Sequence, residues 1–508
     1  MAVFPDLLNG VLAIDRSANV IEYQRTWYSW GQLADMITSI RVALEQVSPG
    51  EDVRLGVMVR NHPSAFAAVL TAIAQGACMV SINPLLPDDR LVQDLKMLRL
   101  PVVAAERADL ERAGVLEALR EAGTAVIELT SLLEGAFIRP GFEKPTGGDI
   151  KVTEPGVIVE MLTSGTTGPP KRVQLKRRAF EKSFISAMSY DTSRSSDDPP
   201  KLRSGTWILN NPLTHIGGLW GALTCILDGR KACLLEKFTV QSWHDAIVRH
   251  RPKVAGSVPS GLRMILDANI PKEDLASLTV LRSGAAPLDP AIVDEFWERY
   301  GIPVLQTYGA TEFSGAVAGW TLPDFRKHHE SKRGSVGRFQ PGIIGRVVDP
   351  DTGKSLPAGE EGVLEMQAAQ FGVGDIWMGT TDRAVIDADG FLFIHGRADS
   401  AILRGGFKIH PDDVSRTIEQ HPAVREAVVV GLPDRRLGAV PVAALMLKAG
   451  ASLPSNEDLV AFLRERLLPY QLPVRFLIVD EVPRTNTLKP ALPQVRALFE
   501  ETVVANAV

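Results

Sequence analysis

Thr163-Ser164-Gly165-Thr166-Thr167-Gly168-Pro169-Pro170-Lys171 is the stretch on which the reading of this sequence turns. Four hydroxyl side chains and two glycines fall within its first six residues. Glycine lets a backbone approach an anion closely and adopt φ > 0. Successive N–H groups and Ser/Thr hydroxyls can then cradle phosphate oxygens. Lys171 adds a positive charge at the rim. The spacing differs from the Walker loop, where four residues separate two glycines and Lys-Ser/Thr follows. A short Gly/Ser/Thr tract can also be an ordinary surface loop, but nine residues in this order favour phosphate.

Upstream, strand and helix signals alternate. Residues 55–59, 79–82 and 101–104 are short apolar runs, and 65–73 and 88–98 are helix-friendly. Such alternation predicts a parallel sheet covered by helices on both faces. Downstream, 206–308 repeats the theme, with strands at 207–209 and 232–235 and helices at 243–250 and 289–299. Residues 331–366 turn Gly-, Pro- and Val-rich, which predicts β-ribbons. After Arg397 the rhythm changes again: helical signals at 412–420 and 456–467, extended ones at 427–430, 440–447 and 476–479. The expected fold is α/β. A large N-terminal domain, 1–397, has parallel-rich sheets flanked by helices plus a β-rich subdomain. A small mobile α+β domain follows at 400–508, with a hinge near Asp399.

Composition bounds the function. The chain has 508 residues, 45% hydrophobic and 23% charged, so it can bury several cores without disulfides or metals. Its 55 Lys+Arg against 60 Asp+Glu leave a net charge of -5, which argues against nucleic acid as a partner. Cys78, Cys225 and Cys233 have no metal-ligand spacing and suit a reducing compartment. No apolar run reaches the length of a membrane span; 69–82 is interrupted by Thr71, Gln75, Gly76 and Ser81. The N-terminus has no basic n-region or apolar h-region, and the last residues are no peroxisomal address, so a cytoplasmic protein, monomer or homodimer, is expected.

Further motifs follow in order: Ser283-Gly284-Ala285-Ala286-Pro287, Tyr308-Gly309-Ala310-Thr311-Glu312, Thr380-Thr381-Asp382, Gly396-Arg397-Ala398-Asp399, Leu403-Arg404-Gly405-Gly406-Phe407-Lys408-Ile409 and Pro483-Arg484-Thr485-Asn486-Thr487-Leu488-Lys489. With these the chain, over roughly residues 20–495, resembles the adenylate-forming (acyl-adenylate) enzymes: AMP-forming acyl- and aryl-CoA synthetases, luciferases and peptide-synthetase adenylation domains. G-x-S-x-G, H-E-x-x-H and G-x-G-x-x-G are absent.

The resemblance assigns roles that the chemistry supports. Thr163 to Gly168 and Lys171 would hold the ATP phosphates. Tyr308 would stack on adenine, a flat ring against a base. Thr311 would contact the α-phosphate, and Glu312 with Thr166 would hold Mg²⁺, hard oxygen ligands for a hard cation. Gly284, Ala285, Ala286 and Gly309 would line the adenine and acyl sites. Asp382 would accept from the ribose hydroxyls, with Arg397 beside it. Asp399 would be the hinge. Gly405, Gly406 and Phe407 would meet coenzyme A, and Lys489 would bridge the substrate carboxylate and the α-phosphate. Three positions depart from the family pattern, which has glycine where this chain has Arg172, Thr381 and Leu488.

Asn210-Asn211-Pro212-Leu213-Thr214-His215-Ile216-Gly217-Gly218-Leu219 resembles the segment beside the substrate carboxylate, with His215 as the facing side chain and Gly217 and Gly218 leaving room for the acyl group. No acid occurs between Leu209 and Leu227 to pair an α-ammonium. A buried unpaired ammonium is costly, so the expected substrate is an aryl or aliphatic carboxylic acid, not an α-amino acid. The implied products are a thioester, AMP and pyrophosphate. The thiol would be coenzyme A or the phosphopantetheine of an acyl-carrier protein. A non-catalytic nucleotide-binding homologue, drifted at 172, 381 and 488, is the reading of another class.

Overall fold

A computed structural model describes residues 3–48, 53–146, 151, 153–162, 171–192, 198–371, 376–452, 454–485 and 487–505. The phosphate-loop candidates Thr163 to Gly168 lie outside them.

The first layer is a seven-stranded sheet in the order Ala136–Ile138, Ala125–Leu129, Val102–Glu106, Arg54–Met58, Cys78–Ile82, Val157–Leu162, Arg172–Lys176. Its five inner strands are parallel, and each edge strand is antiparallel to its neighbour. Strands such as Cys78–Ile82 are buried on both faces, so they need helices on both sides. The helix Pro63–Ala74 meets that need by being apolar all round, with proline in its first turn where no N–H is missed. Trp30–Val47 starts at a capping box, Ser29 accepting from Gln32 N–H at 3.2 Å and Gln32 Oε1 from Ser29 N–H at 2.8 Å.

A second sheet joins Thr206–Leu209, Lys231–Leu234, Asn19–Tyr23 and Thr26–Ser29. A third runs Val254–Gly256, Val280–Ser283, Val304–Ala310, Gly315–Gly319, Arg338–Phe339, parallel over its first three strands. The β-rich part is a four-stranded antiparallel sheet, Ile343–Val348, Gly362–Ala368, Met378–Ile386, Leu392–Arg397. A single 3-10 turn, Ala398–Ser400, leads from it to the C-terminal sheet. That sheet is a long hairpin, Val424–Asp434 and Gly438–Leu447, flanked by Ile402–Arg404, Phe407–Ile409 and Phe476–Ile478. Helices Pro411–Glu419 and Asn456–Arg464 share its core cluster.

This is the α/β architecture expected, a large N-terminal domain and a smaller C-terminal one. The predicted helix 243–250 begins earlier, at Val240, because Thr239 and Ser242 form a capping box. No described helix is long and apolar enough to cross a membrane.

Two departures from the family pattern have plain structural accounts. Arg172 donates to Asp94 at 2.7 Å and to the Ser81 carbonyl at 3.0 Å, tying the edge strand to its neighbours. Thr381 lies within the strand Met378–Ile386 and is not among the residues with positive φ, so no glycine is required. Leu488 is different, since its φ is 60°.

Candidate active site

The N-terminal half of the site grows from the strand Val304–Ala310, whose end leaves the third sheet as Tyr308-Gly309-Ala310 and turns through Thr311–Phe313. Position 309 accepts only glycine, because a Cβ there would meet the Gly315 carbonyl at 2.3 Å. Beside it, a Cβ on Gly284 would meet Thr307 Oγ1 at 2.6 Å, so the turn of Gly284, Ala285 and Ala286 lies tight against the same strand. Ala285 takes φ 70°.

Tyr308 reaches across to the four-stranded sheet, where its hydroxyl donates to Asp382 Oδ2. Asp382 is paired in register with Arg397 on the next strand. Burial pushes the Asp382 carboxyl up, against the hydrogen bond from Tyr308 and the charge of Arg397. Burial and the neighbouring carboxylate push the Tyr308 phenol far up, so it remains a donor. Arg397 grips Asp399 through two bonds, 2.9 and 2.7 Å, and this pair raises the guanidinium further. Asp399 is therefore held by the last strand before the 398–400 turn.

Glu312 is exposed. Its charge is felt by Tyr308, Asp382, Arg397 and Lys489. An exposed carboxylate suits Mg²⁺, which keeps several waters and takes one or two protein carboxylates. The other candidate ligand, Thr166, falls outside the described residues. Among those described, one other group has metal-ligand chemistry: Glu22, Cys233 and His250. Glu22 and Cys233 sit on the second sheet and His250 at the end of the helix Val240–His250, and Arg249 already bonds Glu22 at 2.7 Å.

His215 caps the helix Ile216–Leu227 with its backbone, leaving the imidazole free of capping. Burial first, then the charge of Lys489, pulls the ring down to about 4, so it is neutral at pH 7. Gly217 faces open space. Gly218 is buried, and a Cβ there would meet the Pro212 carbonyl at 2.1 Å, so this glycine serves the packing of the helix start. One turn on, Trp220 packs edge-on against Phe180 and Phe184, with ring centroids at 5.1 and 5.5 Å, and flanks Gly315. Nothing in the sequence marked Trp220 out.

The C-terminal lobe contributes Lys489. Its loop is closed by Thr485 N–H to the Lys489 carbonyl and Leu488 N–H to the Thr485 carbonyl, both 2.8 Å. The half-buried ammonium is pulled below the ordinary lysine value by loss of water, and Glu312 opposes that shift. Lys489, His215 and Glu312 thus occupy one electrostatic neighbourhood. Ser260, which sequence reasoning passed over, donates to the Leu488 carbonyl at 2.8 Å. Gly405, Gly406 and Phe407 lie elsewhere, on an exposed turn of the C-terminal sheet where Phe407 stacks on Tyr470 at 4.5 Å. Lys171 is exposed at the edge of the described chain.

Comparison with known proteins identifies the family. The chain matches the AMP-binding enzyme family over residues 13–372 and the AMP-binding enzyme C-terminal domain over 414–489. It is 30% identical over 489 residues to the 2-succinylbenzoate–CoA ligase of Bacillus pumilus, covering 92% of each chain. It is 31% identical over 362 residues to the fatty acid–[acyl-carrier-protein] ligase ScoC of Streptomyces coeruleorubidus, 68% of each. In fold it resembles ATP-bound MatB from Rhodopseudomonas palustris, with TM-score 0.81 over 99% of each chain at 22% identity. The chain belongs to the AMP-binding, adenylate-forming enzymes.

Proposed function

We propose that this chain is an AMP-forming acid–coenzyme A ligase acting on an aryl or aliphatic carboxylic acid without an α-ammonium. The observation that supports this reading most is that Lys489, on the C-terminal lobe, lies within electrostatic range of both Glu312 and His215 of the N-terminal lobe.

In the first half-reaction the substrate carboxylate oxygen attacks the α-phosphorus of ATP, and the bond to pyrophosphate breaks. Lys489 offsets the negative charge gathering between carboxylate and phosphate, as a fixed cation in a site short of water. His215, neutral, can lie beside the carboxylate without salt-bridging it away from the phosphorus. Asp382, with Oδ2 engaged by Tyr308, presents Oδ1 to the ribose hydroxyls, and that same bond orients the Tyr308 ring for adenine. Glu312 would hold Mg²⁺, whose chemistry is to neutralise charge on the phosphate oxygens. The phosphate loop, Thr163 to Gly168 with Lys171, completes the set.

In the second half-reaction the C-terminal domain, 400–508, turns against 1–397 about Asp399. Lys489 withdraws, Gly405, Gly406 and Phe407 approach, and the coenzyme A sulfur attacks the acyl carbon as the bond to AMP breaks. The 2-succinylbenzoate–CoA ligase relative supports coenzyme A as acceptor. The similarity to ScoC keeps a carrier-protein thiol as the alternative acceptor. The three cysteines are free and buried, in keeping with a cytoplasmic enzyme.

The test is a pyrophosphate-release screen over aryl, aliphatic and amino acids, repeated with coenzyme A. We expect release with a neutral-bodied acid and faster AMP release when coenzyme A is added. ATP binding without pyrophosphate–ATP exchange for any acid would leave only the non-catalytic reading. Acceleration by a carrier protein but not by coenzyme A would move the acceptor.

A further inference from the structure

The two lobes meet along the helix Pro259–Asp267. At its start, Ser260 Oγ donates to the Leu488 carbonyl at 2.8 Å. At its end, Asp267 pairs with Arg425 of the C-terminal hairpin. Between them Arg263, held by Asp289 and Glu295 at 3.3 Å each, lies within electrostatic range of Glu419 of the opposite lobe.

The Ser260 bond falls on the residue before Lys489. The lysine-bearing segment is tied from within: besides the two backbone bonds at Thr485, Leu488 and Lys489, Arg484 donates to the same Leu488 carbonyl at 3.1 Å and is anchored on Glu426 at 2.6 Å. A segment so tied can be aimed from outside by a single contact, and the Ser260 hydroxyl provides one from the N-terminal lobe. The Asp267–Arg425 pair, one length of the helix away, resists rotation about that contact. On the proposed turn of the C-terminal lobe at 398–400, both contacts would be broken. Both therefore favour one arrangement over the other, which is what shifts a two-state equilibrium.

We propose that Ser260 is a positioning residue for adenylation, docking the catalytic-lysine loop, with Asp267 and Arg425 as the second point of the same latch. This rests on the role given above to Lys489.

The test separates the two half-reactions in the full-length enzyme. Pyrophosphate–ATP exchange reads the first, and conversion of a preformed acyl-adenylate to thioester reads the second. Ser260→Ala should slow exchange about two- to tenfold, the worth of one neutral hydrogen bond, through kcat and not the KM for ATP. Thioester formation and the melting temperature should be unchanged, and Ser260→Thr should restore exchange. Asp267→Arg and Arg425→Asp should each lower exchange about twofold, as partly exposed pairs do, and the double swap should recover it. Equal loss in both half-reactions, or wild-type exchange in Ser260→Ala and Asp267→Arg alike, overturns the latch. Failure of the wild-type enzyme to exchange at all overturns instead the reading on which it rests.

Discussion

The shelf at Tyr308–Glu312 and the loop that carries Lys489 belong to different lobes and are held in opposite ways. The shelf continues a sheet strand, admits no Cβ at Gly309, and is braced by the Tyr308–Asp382 hydrogen bond to a second sheet. Moving it would break core packing. The loop meets the other lobe through one hydroxyl–carbonyl bond, and the hairpin that anchors Arg484 adds a partly exposed ion pair. Such contacts are worth about 1 kcal/mol or less each. On the proposed mechanism, the nucleotide side would be built in advance while the lysine could be withdrawn cheaply, an asymmetry that suits a cycle needing the lysine for only one half.

The largest effect should come from removing the Lys489 cation. Lys489→Ala should lower pyrophosphate–ATP exchange about 10²- to 10³-fold, the scale for losing one preorganised charge stabiliser. A preformed acyl-adenylate should still yield thioester at near the wild-type rate. Equal loss of both would break the contrast between shelf and loop. In the wild type, the depressed Lys489 ammonium loses its proton as pH rises, earlier than an ordinary lysine. Exchange should therefore fall on the alkaline side while thioester formation does not.

Next comes the seam itself. Glu419 is pushed up to about 8, first by burial, with Asp289 and Glu426 adding to it; the Ala427 N–H and Arg263 oppose. A carboxyl raised from 4.5 to about 8 contributes stability that is full below 4.5 and is lost as pH rises through 8. Glu419→Gln keeps the acceptor for Ala427 N–H and removes the titration. It should melt like wild type at pH 4 and be more stable at pH 9, by on the order of 2 kcal/mol. Parallel stability curves for the two proteins would show that the seam is indifferent to this group.

Tyr308-Gly309-Ala310-Thr311-Glu312 stood out in the sequence because it sets a flat ring, a hydroxyl and a carboxylate side by side at the end of a strand-like run. His215 and Lys489 stood out through their motifs. The latch did not. Ser260 is one hydroxyl at a helix start, and its partner is a backbone carbonyl 228 residues away, which no side-chain pattern encodes. Arg172 looked like a departure at the phosphate loop until its bonds to Asp94 and Ser81 gave it a place in the sheet. The strands Met378–Ile386 and Leu392–Arg397 escaped notice as strands because both are mostly half-exposed, which blurs the alternation of a buried face.

The shelf offers a smaller effect. Tyr308→Phe leaves a buried carboxyl short of a donor, at about 1–3 kcal/mol. If Asp382 holds ribose in both halves of the cycle, ATP binding and adenylate turnover should weaken together, by about tenfold. Loss confined to the first half would mean that the shelf, like the loop, is remade between steps.

The smallest effect belongs to Leu488. Its φ of 60° is one that a leucine adopts at a cost of about 1–2 kcal/mol. Its carbonyl is the very group that Ser260 engages. Glycine there would remove the strain, though its extra freedom in the unfolded chain takes back about 0.5–1 kcal/mol. The net gain in stability should be small. The effect on the cycle should be more telling, because the strain is borne where the lysine is presented. If the backbone at 488 relaxes once the lobe turns, leucine acts as a spring that helps Lys489 withdraw. Leu488→Gly should then speed exchange about twofold and slow thioester formation by a similar factor. If φ stays positive throughout, both half-reactions should match wild type, and the side chain at 488 is a tolerated substitution without a part in the alternation.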